Sequence, residues 1–351
     1  MKAVFKDKPA PGAVLKEVDA PKPGPNDVLI KIDAASICGT DVHIWNWDEW
    51  AQNRIKPPMI FGHEAAGKIV ELGANAEAAG KLALGDFISI ETHVYDGTCE
   101  QCKRGNQHIC ENMKIFGVDM NGVFAEYAVV PQQNAWVNDA ALPPAIASIQ
   151  EPFGNAVHTV FEGGAPSGDS ALVLGCGPIG LFAVGILKAI GASPVFAVEP
   201  TPLRARIASQ MGADRVFDPS KEDYVSEILS ATNGKGVGAV LEMSGNAGAL
   251  QNGFKALRPG GKMNILGVFS KAVELDVDNG IVFKYARIYG INGRRIWDTW
   301  EKTRELLDGG NGGKAKVDVR PVLTHEFPLS DFEKGFAAIK AGEAAKVILK
   351  P

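Results

Sequence analysis

Three cysteines, Cys99, Cys102 and Cys110, lie within twelve residues and form the densest group of metal-binding side chains in the sequence. Two thiolates with two residues between them can bind the same tetrahedral zinc ion. The chain starts MKAVFKDKPA, which lacks the apolar segment of a secretory signal, so we expect the cytoplasm, where thiols stay reduced. The cluster therefore favours a metal site over a redox disulfide.

The fourth ligand of this cysteine lobe, residues 93–113, is left open by the spacing. Asp96 precedes Cys99 by three residues and offers an oxygen donor, which zinc accepts but binds less softly than sulfur. We predict a site of three cysteines and Asp96. Two alternatives remain: His93 or His108 completes the site, or the lobe holds no stable metal.

A second set of candidate ligands is spread over three segments and comprises Cys38, His63 and Glu151. A thiolate, an imidazole and a carboxylate would leave one position of a tetrahedral zinc ion for water or substrate, as catalytic zinc requires. Spacing alone does not show that the three side chains meet. Singly, they are also typical of a buried cysteine, a capped histidine and a carboxylate on a helix surface.

A glycine-rich segment, Gly175-Cys-Gly177-Pro-Ile-Gly180, follows a predicted strand and opens a predicted helix. This is the dinucleotide fingerprint in its required context, with glycines for the tight turn, the approach of the pyrophosphate and close helix packing. Glu199 ends the next predicted strand and can accept hydrogen bonds from both ribose hydroxyls, which predicts NAD rather than NADP. Arg204 keeps NADP open, because it can hold a 2′-phosphate, stack on adenine or steady Glu199.

The elements that must position these residues fall into two patterns. Residues 1 to about 135 consist of short alternating segments broken by Gly, Pro and Asp, which predicts a sheet-rich domain. Beyond residue 150, candidate strands alternate with helical lengths and predict a doubly wound parallel sheet. The six candidate strands are 171–174, 195–199, 215–217, 238–242, 262–266 and 287–291.

The segments after residue 293 could rejoin the first domain. They are a predicted helix over 297–307, a glycine-rich loop tip over 309–313, a strand over 322–327, a helix over 331–340 and a strand over 346–350.

Composition bounds the class of protein. The 351 residues suggest about two domains at roughly 150 residues each. The formal net charge of −5 lacks the basic surplus that binding to a phosphate backbone needs, so nucleic acid is excluded as an expected partner. The apolar segment 171–187 contains Pro178 and several glycines, which favours a buried strand entering a helix over a membrane span.

The order of these motifs resembles that of the zinc-containing medium-chain dehydrogenase family over essentially the whole length. The resemblance implies an α/β protein with a doubly wound Rossmann domain that binds NAD and a sheet-rich GroES-like catalytic domain. The implied boundaries are 1–152 and 292–351 for the catalytic domain and 153–291 for the Rossmann domain. A cytoplasmic homotetramer is implied as well. Asp96 departs from the family, whose members usually carry the first lobe cysteine there.

The resemblance also assigns roles residue by residue. It implies a catalytic zinc ion on Cys38, His63, Glu64 and Glu151, where Glu64 or Glu151 can yield to water or substrate. It implies a proton relay through Thr40 and His43, with His93 beside the substrate pocket. The residues that would line the coenzyme are Ile179, Glu199, Arg204, Leu266 and Ile291.

Three segments, 37–50, 151–157 and 289–294, are similar to threonine-oxidising members in particular. This implies oxidation of the small-molecule substrate L-threonine at C3, with NAD, to 2-amino-3-oxobutanoate. The substrate carboxylate needs a cationic partner, for which Arg294 or Arg295 is the candidate, and Trp47, Trp50 or an acidic neighbour would face the ammonium group. The rival interpretations are a polyol or 2,3-butanediol dehydrogenase on the same scaffold and a nucleotide-binding protein without catalysis.

Overall fold

The structure of the chain is a computed structural model, and it describes residues 1–308, 310 and 313–351. Residue contacts divide the chain into two compact units: the first comprises Met1–Glu151 and Leu323–Pro351, and the second comprises Pro152–Val322. The predicted loop tip at 309–313 includes Gly309, Asn311 and Gly312, which lie outside the described residues.

The strands of the described residues are β1 (Lys2–Lys6), β2 (Val14–Glu17), β3 (Asp27–Ser36), β4 (Met59–Ile60), β5 (Glu64–Leu72), β6 (Phe87–Ile90), β7 (His93–Val94), β8 (Lys114–Ile115), β9 (Tyr127–Pro131), β10 (Ala135–Val137), β11 (Ala171–Leu174), β12 (Val195–Val198), β13 (Arg215–Phe217), β14 (Val237–Glu242), β15 (Leu257–Ile265), β16 (Arg287–Gly290), β17 (Leu323–Pro328) and β18 (Lys346–Lys350). The α-helices are α1 (Gly39–Asn46), α2 (Glu49–Arg54), α3 (Ala74–Ala79), α4 (Glu100–Lys103), α5 (Pro144–Ser148), α6 (Gln150–Phe161), α7 (Pro178–Ala189), α8 (Pro202–Gln210), α9 (Tyr224–Ala231), α10 (Ala247–Ala256), α11 (Asp298–Leu307) and α12 (Phe332–Lys340).

The first unit is built on a seven-stranded sheet in the order β10-β6-β5-β3-β18-β17, with β9 pairing with β3. Strand β3 pairs antiparallel with both β5 and β18, and its last residue, Ser36, lies opposite Glu64 on one side and Ile348 on the other. Apolar side chains of these strands, such as Ile30 and Ile69, are buried in one core. This register brings the end of β3, the start of β5 and β18 together at one place in the sheet.

The second unit contains a six-stranded sheet in the order β13-β12-β11-β14-β15-β16, and every pairing within it is parallel. The predicted doubly wound Rossmann sheet is therefore confirmed. Strands β11 and β13 have the predicted bounds, whereas β15 starts at Leu257, five residues earlier than predicted. Val237 of β14 pairs with Leu257, but Ala239 pairs with Lys262, so the register shifts between these two pairs. The extra residues of β15, Arg258 to Gly261, form an irregularity that does not end the strand.

Residues 292–322 belong to the second unit, so the return to the first unit begins at Leu323 rather than at the expected residue 292. The reason is packing on the Rossmann helices. A Cβ atom on Gly185 of α7 would lie 2.9 Å from the side chain of Val317, and the Arg294 guanidinium donates to Asn155 of α6 (3.1 Å). No helix in the described part of the chain has the length and apolar content needed to cross a membrane.

Candidate active site and metal centres

Cys38 precedes α1, and Asp41 in the first turn of that helix fixes its position. The Asp41 Oδ2 atom accepts a hydrogen bond from the backbone amide of Cys38 at 2.9 Å, the reciprocal half of a capping box. The other oxygen, Oδ1, lies 3.5 Å from Nδ1 of His63. A carboxylate on one ring nitrogen leaves Nε2 for a metal, as is usual for histidine ligands. Asp41 therefore orients two predicted ligands at once.

Glu64 is the first residue of β5 and is completely buried. Its Oε2 atom accepts hydrogen bonds from the Ser36 hydroxyl and from the ammonium group of Lys346. Lys346 is also buried and donates to the carbonyl of Ile37 at 3.0 Å. The remaining oxygen of Glu64, Oε1, is buried and has no hydrogen-bond partner among the described residues. The lysine and the serine thus hold one oxygen of the carboxylate and leave the other without a partner.

The structure brings Cys38, His63 and Glu64 together, with their donor atoms all within 4.8 Å of one another. Burial opposes a charge on His63, yet the Asp41 carboxylate and the Cys38 thiol raise its pKa well above the usual value. Asp41 and Cys38 thus stabilise a positive charge at His63. A buried carboxylate oxygen without a partner costs free energy, which a cation bound there would relieve. The thiolate, imidazole and carboxylate set therefore fits zinc.

Glu151, the fourth residue of the predicted set, lies outside this group of three. One of its carboxylate oxygens accepts a hydrogen bond from the Thr92 hydroxyl at 3.3 Å. Burial raises the pKa of the Glu64 carboxyl, Lys346 opposes this rise, and the charge of Glu151 adds to it. Glu64 is thus the carboxylate placed with the thiol and the imidazole, and Glu151 is a nearby second carboxylate.

The residues of the expected proton relay lie on α1. The hydroxyl oxygen of Thr40 is 3.9 Å from the Cys38 sulfur. His43, three residues further on, is 57% exposed at its side chain, and its Nδ1 atom contacts the carboxylate of Asp48. A relay that ends on His43 therefore opens to solvent.

His93 begins β7 and is mostly buried, with a side-chain exposure of 12%. The carboxylate of the fully buried Glu91 accepts hydrogen bonds from the backbone amide of His93 at 2.8 Å and from its Nδ1 at 3.1 Å. Glu91 therefore fixes the ring of His93.

The cysteine lobe also converges: the donor atoms of Asp96, Cys99, Cys102 and Cys110 all lie within 4.8 Å of one another. Hydrogen bonds from Asn112 and from the backbone amides of Thr98 and Cys99 lower the pKa of Asp96, so this side chain is a carboxylate. Burial raises the pKa of the Cys102 thiol to about 12, and the neighbouring thiols add to this. Deprotonation of this thiol therefore requires a cation, which the four donors would surround.

The lobe permits a direct test of Asp96. Asp96→Asn keeps the Oδ1 acceptor that Thr98 and Cys99 use at 2.7 and 3.0 Å but removes the charge. We expect this variant to lose lobe zinc to a colorimetric chelator at least about tenfold faster than the parent chain, and Asp96→Cys to lose it more slowly. Equal release from Asp96→Asn and the parent would show that Asp96 is not a ligand.

The coenzyme motif lies where the predicted fingerprint requires it. Gly175 has a φ of +89°, and a Cβ atom on Gly180 would lie 2.0 Å from the carbonyl oxygen of Gly175. Around Gly177, by contrast, a Cβ atom would meet no described part of the chain within 4 Å. A cavity of about 580 Å³ opens beside these glycines and is lined by Glu199 and Arg204 among others. This is the edge of a parallel sheet where dinucleotides bind.

Glu199 is 3% exposed and is held by several donors. Its Oε2 atom accepts from the amide of Cys176 at 2.9 Å, and its Oε1 atom accepts from the amide of Thr201 at 2.9 Å and from Arg204 Nε at 3.1 Å. Of the roles open to Arg204, the structure shows the one in which it steadies Glu199. The remaining predicted coenzyme residues, Ile179, Leu266 and Ile291, do not line the cavity.

Two glycine substitutions separate coenzyme binding from folding. Gly177→Ala places a methyl group where the pyrophosphate must approach the backbone, so we expect an unchanged melting temperature and a roughly tenfold higher Kd for NAD. Gly180→Ala forces helix α7 away from the preceding turn and should lower stability by about 1–3 kcal/mol. Thermal melting and coenzyme fluorescence measure the two effects, and parent-like NAD binding by Gly177→Ala would contradict the site.

The candidates for the substrate carboxylate are placed unfavourably. Arg294 is completely buried and donates to Asn155, so a carboxylate from solvent cannot reach it. Arg295 is half-exposed, but its Nη2 atom lies 3.1 Å from both carboxylate oxygens of Glu162. The ring of Trp47 is covered by the ammonium group of Lys6, 4.8 Å from the ring centroid. The burial of Arg294 therefore argues against it as the contact of the substrate carboxylate.

Sequence reasoning missed Asp41, Glu91 and Lys346 as supports of this site. A carboxylate at the third helical position after Cys38 is a capping-box signal, so Asp41 could have been found. Lys346 starts an apolar strand, and no local pattern distinguishes it from a surface lysine.

Two family models match the chain. Residues 24–139 match the alcohol dehydrogenase GroES-like domain, and residues 178–309 match the zinc-binding dehydrogenase domain. The chain therefore belongs to the zinc-binding dehydrogenase family, and the resemblance of its motifs is confirmed.

The relatives that match over the full length are more specific. An L-threonine 3-dehydrogenase of Pyrococcus abyssi is 48% identical over 349 residues, which cover 99% of this chain and 98% of the relative. This agrees with the subfamily resemblance of segments 37–50, 151–157 and 289–294.

Solved structures share the fold at lower identity. A protein of Sinorhizobium meliloti 1021 described as a zinc-binding dehydrogenase and bound to NADP has a TM-score of 0.90 and 28% identity, covering 100% of this chain and 99% of that chain. The 2R,3R-butanediol dehydrogenase of Bacillus subtilis has a TM-score of 0.87 and 29% identity, with the same coverage.

Proposed function

We propose that this chain oxidises the C3 hydroxyl of L-threonine to the ketone of 2-amino-3-oxobutanoate and transfers the hydride to NAD. The observation that carries the proposal is the convergence of Cys38, His63 and Glu64, a donor set that a nucleotide-binding module without catalysis has no need for. The substrate is supported by the full-length relative from Pyrococcus abyssi, which is 48% identical and is an L-threonine 3-dehydrogenase.

Zinc held by Cys38, His63 and a carboxylate would supply a Lewis acid that makes the C3 hydroxyl more acidic. The side chains of the first unit would do the rest of the proton chemistry. Thr40, whose hydroxyl lies 3.9 Å from the Cys38 sulfur, would accept the substrate's hydroxyl proton as it releases its own proton into the relay, and His43 would pass a proton on to solvent. The catalytic residues in this proposal are Thr40, His43, His93 and Glu151.

The coenzyme is proposed to be NAD. Glu199 is a buried carboxylate at the edge of the cavity, and a 2′-phosphate beside it would meet like charge. Arg204 is already bonded to Glu199, so it offers less to a phosphate than a free arginine would. The ratio of kcat/KM for NAD and NADP tests this, and a ratio in favour of NADP would refute it.

One assay tests the whole proposal. Purified protein is given NAD and either L-threonine, 2,3-butanediol or sorbitol, and NADH is followed at its absorption band. We expect threonine to give the largest kcat/KM. A preference for either of the other alcohols would establish the rival dehydrogenase, and NAD binding without oxidation of any alcohol by zinc-replete protein would establish the binding module.

Further properties are proposed on the family resemblance. We infer two zinc ions per chain, one at Cys38, His63 and Glu64 with Glu151 nearby and one in the cysteine lobe. We also infer a homotetramer that works in the cytoplasm. Metal analysis and sedimentation of the purified protein test the metal content and the assembly.

A further inference from the structure

The carboxylate that contacts His43 has so far no role in the reaction. Asp48 is the N-cap of α2, and its Oδ1 atom accepts a hydrogen bond from the amide of Ala51 at 3.1 Å. Its Oδ2 atom contacts the Nδ1 atom of His43. The two oxygens of one side chain thus perform two separate tasks, one for the helix and one for the imidazole.

We propose that Asp48 is a positioning residue that keeps the mobile proton of neutral His43 on Nδ1 and leaves the lone pair of Nε2 to accept a proton from the relay. The inference rests on the proposed relay through Thr40 and His43 and names the residue that makes its last member a base. In a neutral imidazole one nitrogen donates and the other accepts, and an ionised carboxylate only accepts. A carboxylate at Nδ1 therefore requires the proton to be there.

Asp48 is ionised at neutral pH. Slight burial raises its pKa, but the hydrogen bonds with His43 and with the Ala51 amide outweigh burial and lower it below the usual value. The contact is half-exposed, with side-chain exposures of 57% for His43 and 40% for Asp48, so solvent can remove the proton that Nε2 accepts.

The surroundings of His43 also favour this arrangement. The ring of Trp50 lies 6.0 Å from the imidazole of His43, centroid to centroid, at an angle of 57°. Trp50 belongs to α2, the helix that Asp48 caps. Trp50 therefore limits the swing of the ring on that side. His43 stands in the last turn of α1, where the helix dipole favours a transient imidazolium.

The proton balance of the step is simple. The lone pair of Nε2 forms a bond to the proton that the relay delivers, and the resulting imidazolium keeps its Nδ1 proton directed at Asp48. The Nε2 proton then passes to water, which restores the same tautomer. No electrons are exchanged in this step.

The substitution Asp48→Asn should change the tautomer of His43 without changing the fold. Asparagine caps a helix N-terminus as well as aspartate does, and its carbonyl oxygen would accept the hydrogen bond from the Ala51 amide. The amide group that is left faces Nδ1 and donates to it, which drives the imidazole proton onto Nε2. We expect kcat for threonine oxidation to fall by about 100-fold, with KM within twofold. This is the lower end of the effect of losing a general base, because water also reaches the ring.

A spectroscopic readout makes the test independent of activity. In protein labelled with 15N-histidine, the His43 signals, assigned by their loss in His43→Gln, report which nitrogen carries the proton. We expect Nδ1–H in the parent and Nε2–H in Asp48→Asn, with the same melting temperature. Glu49→Gln removes the neighbouring exposed charge of α2 and is the matched control, for which kcat and the tautomer should not change.

The outcomes separate this inference from the proposed relay. If His43→Gln leaves kcat unchanged, the relay is wrong, whatever the tautomer of His43. If His43→Gln lowers kcat but Asp48→Asn leaves either the tautomer or kcat at the parent value, the relay stands and the role of Asp48 is refuted. Asp48→Ser, which keeps the cap and removes the contact with Nδ1, should give a smaller loss of kcat than Asp48→Asn.

Discussion

Cys38→Ser should lower kcat for threonine oxidation by about 1,000-fold and remove one zinc ion per chain. Cys38 is the only sulfur donor in its group, and a serine hydroxyl stays protonated and binds zinc poorly. Loss of a Lewis acid removes several kcal/mol of transition-state stabilisation, and each 1.36 kcal/mol is a factor of ten in rate. Metal analysis of the purified variant, together with its kcat, measures both effects.

The matched control is Cys99→Ser, which changes the same residue type in the cysteine lobe. We expect it to remove the other zinc ion and to reduce stability more than kcat, because the lobe donors belong to a separate group. If the parent holds one zinc ion that disappears in Cys38→Ser alone, the lobe is empty. A Cys38→Ser variant with full metal content and parent kcat would refute the catalytic metal site.

Lys346→Met should destabilise the first unit by about 3–5 kcal/mol. The substitution keeps a long side chain but leaves the buried Oε2 atom of Glu64 without the cation that pairs with it, and removing one partner of a buried pair has this cost. The midpoint of urea unfolding, followed by tryptophan fluorescence, measures the loss.

Strand β18 offers the control for this prediction. Lys350 also forms an ion pair, with Glu326, but the two side chains are 53% and 46% exposed, so Lys350→Met should cost at most about 1 kcal/mol. Adding Glu64→Gln to Lys346→Met should restore part of the lost stability, because the uncompensated charge is removed. Equal midpoints for Lys346→Met and Lys350→Met would mean that burial does not strengthen the pair.

Much of the coenzyme half could be predicted from local signals. The alternation of strands and helices predicted the parallel sheet, and the three glycines predicted a tight turn that the structure confirms at Gly175 and Gly180. These features depend on residues close together in the chain, where periodicity and turn chemistry act directly. The boundary at residue 292 came instead from the family resemblance, whereas residue contacts divide the chain at Leu323.

Cys38, His63 and Glu151 were candidate metal ligands by residue type, the family resemblance added Glu64, and spacing alone left their meeting open. Residue type by itself determined which residues could serve, because Cys38, His63 and the carboxylates can bind zinc wherever they lie in the chain. Tertiary structure decided that Glu64 rather than Glu151 joins the thiol and the imidazole, that Asp41 and Lys346 hold them, and that Arg294 is buried. Lys346 and Glu64 are 282 residues apart in the chain, and only the register of β18 on β3 and of β3 on β5 brings them into contact. Strand register and burial arise from the whole core, so no short stretch of sequence encodes such a pair.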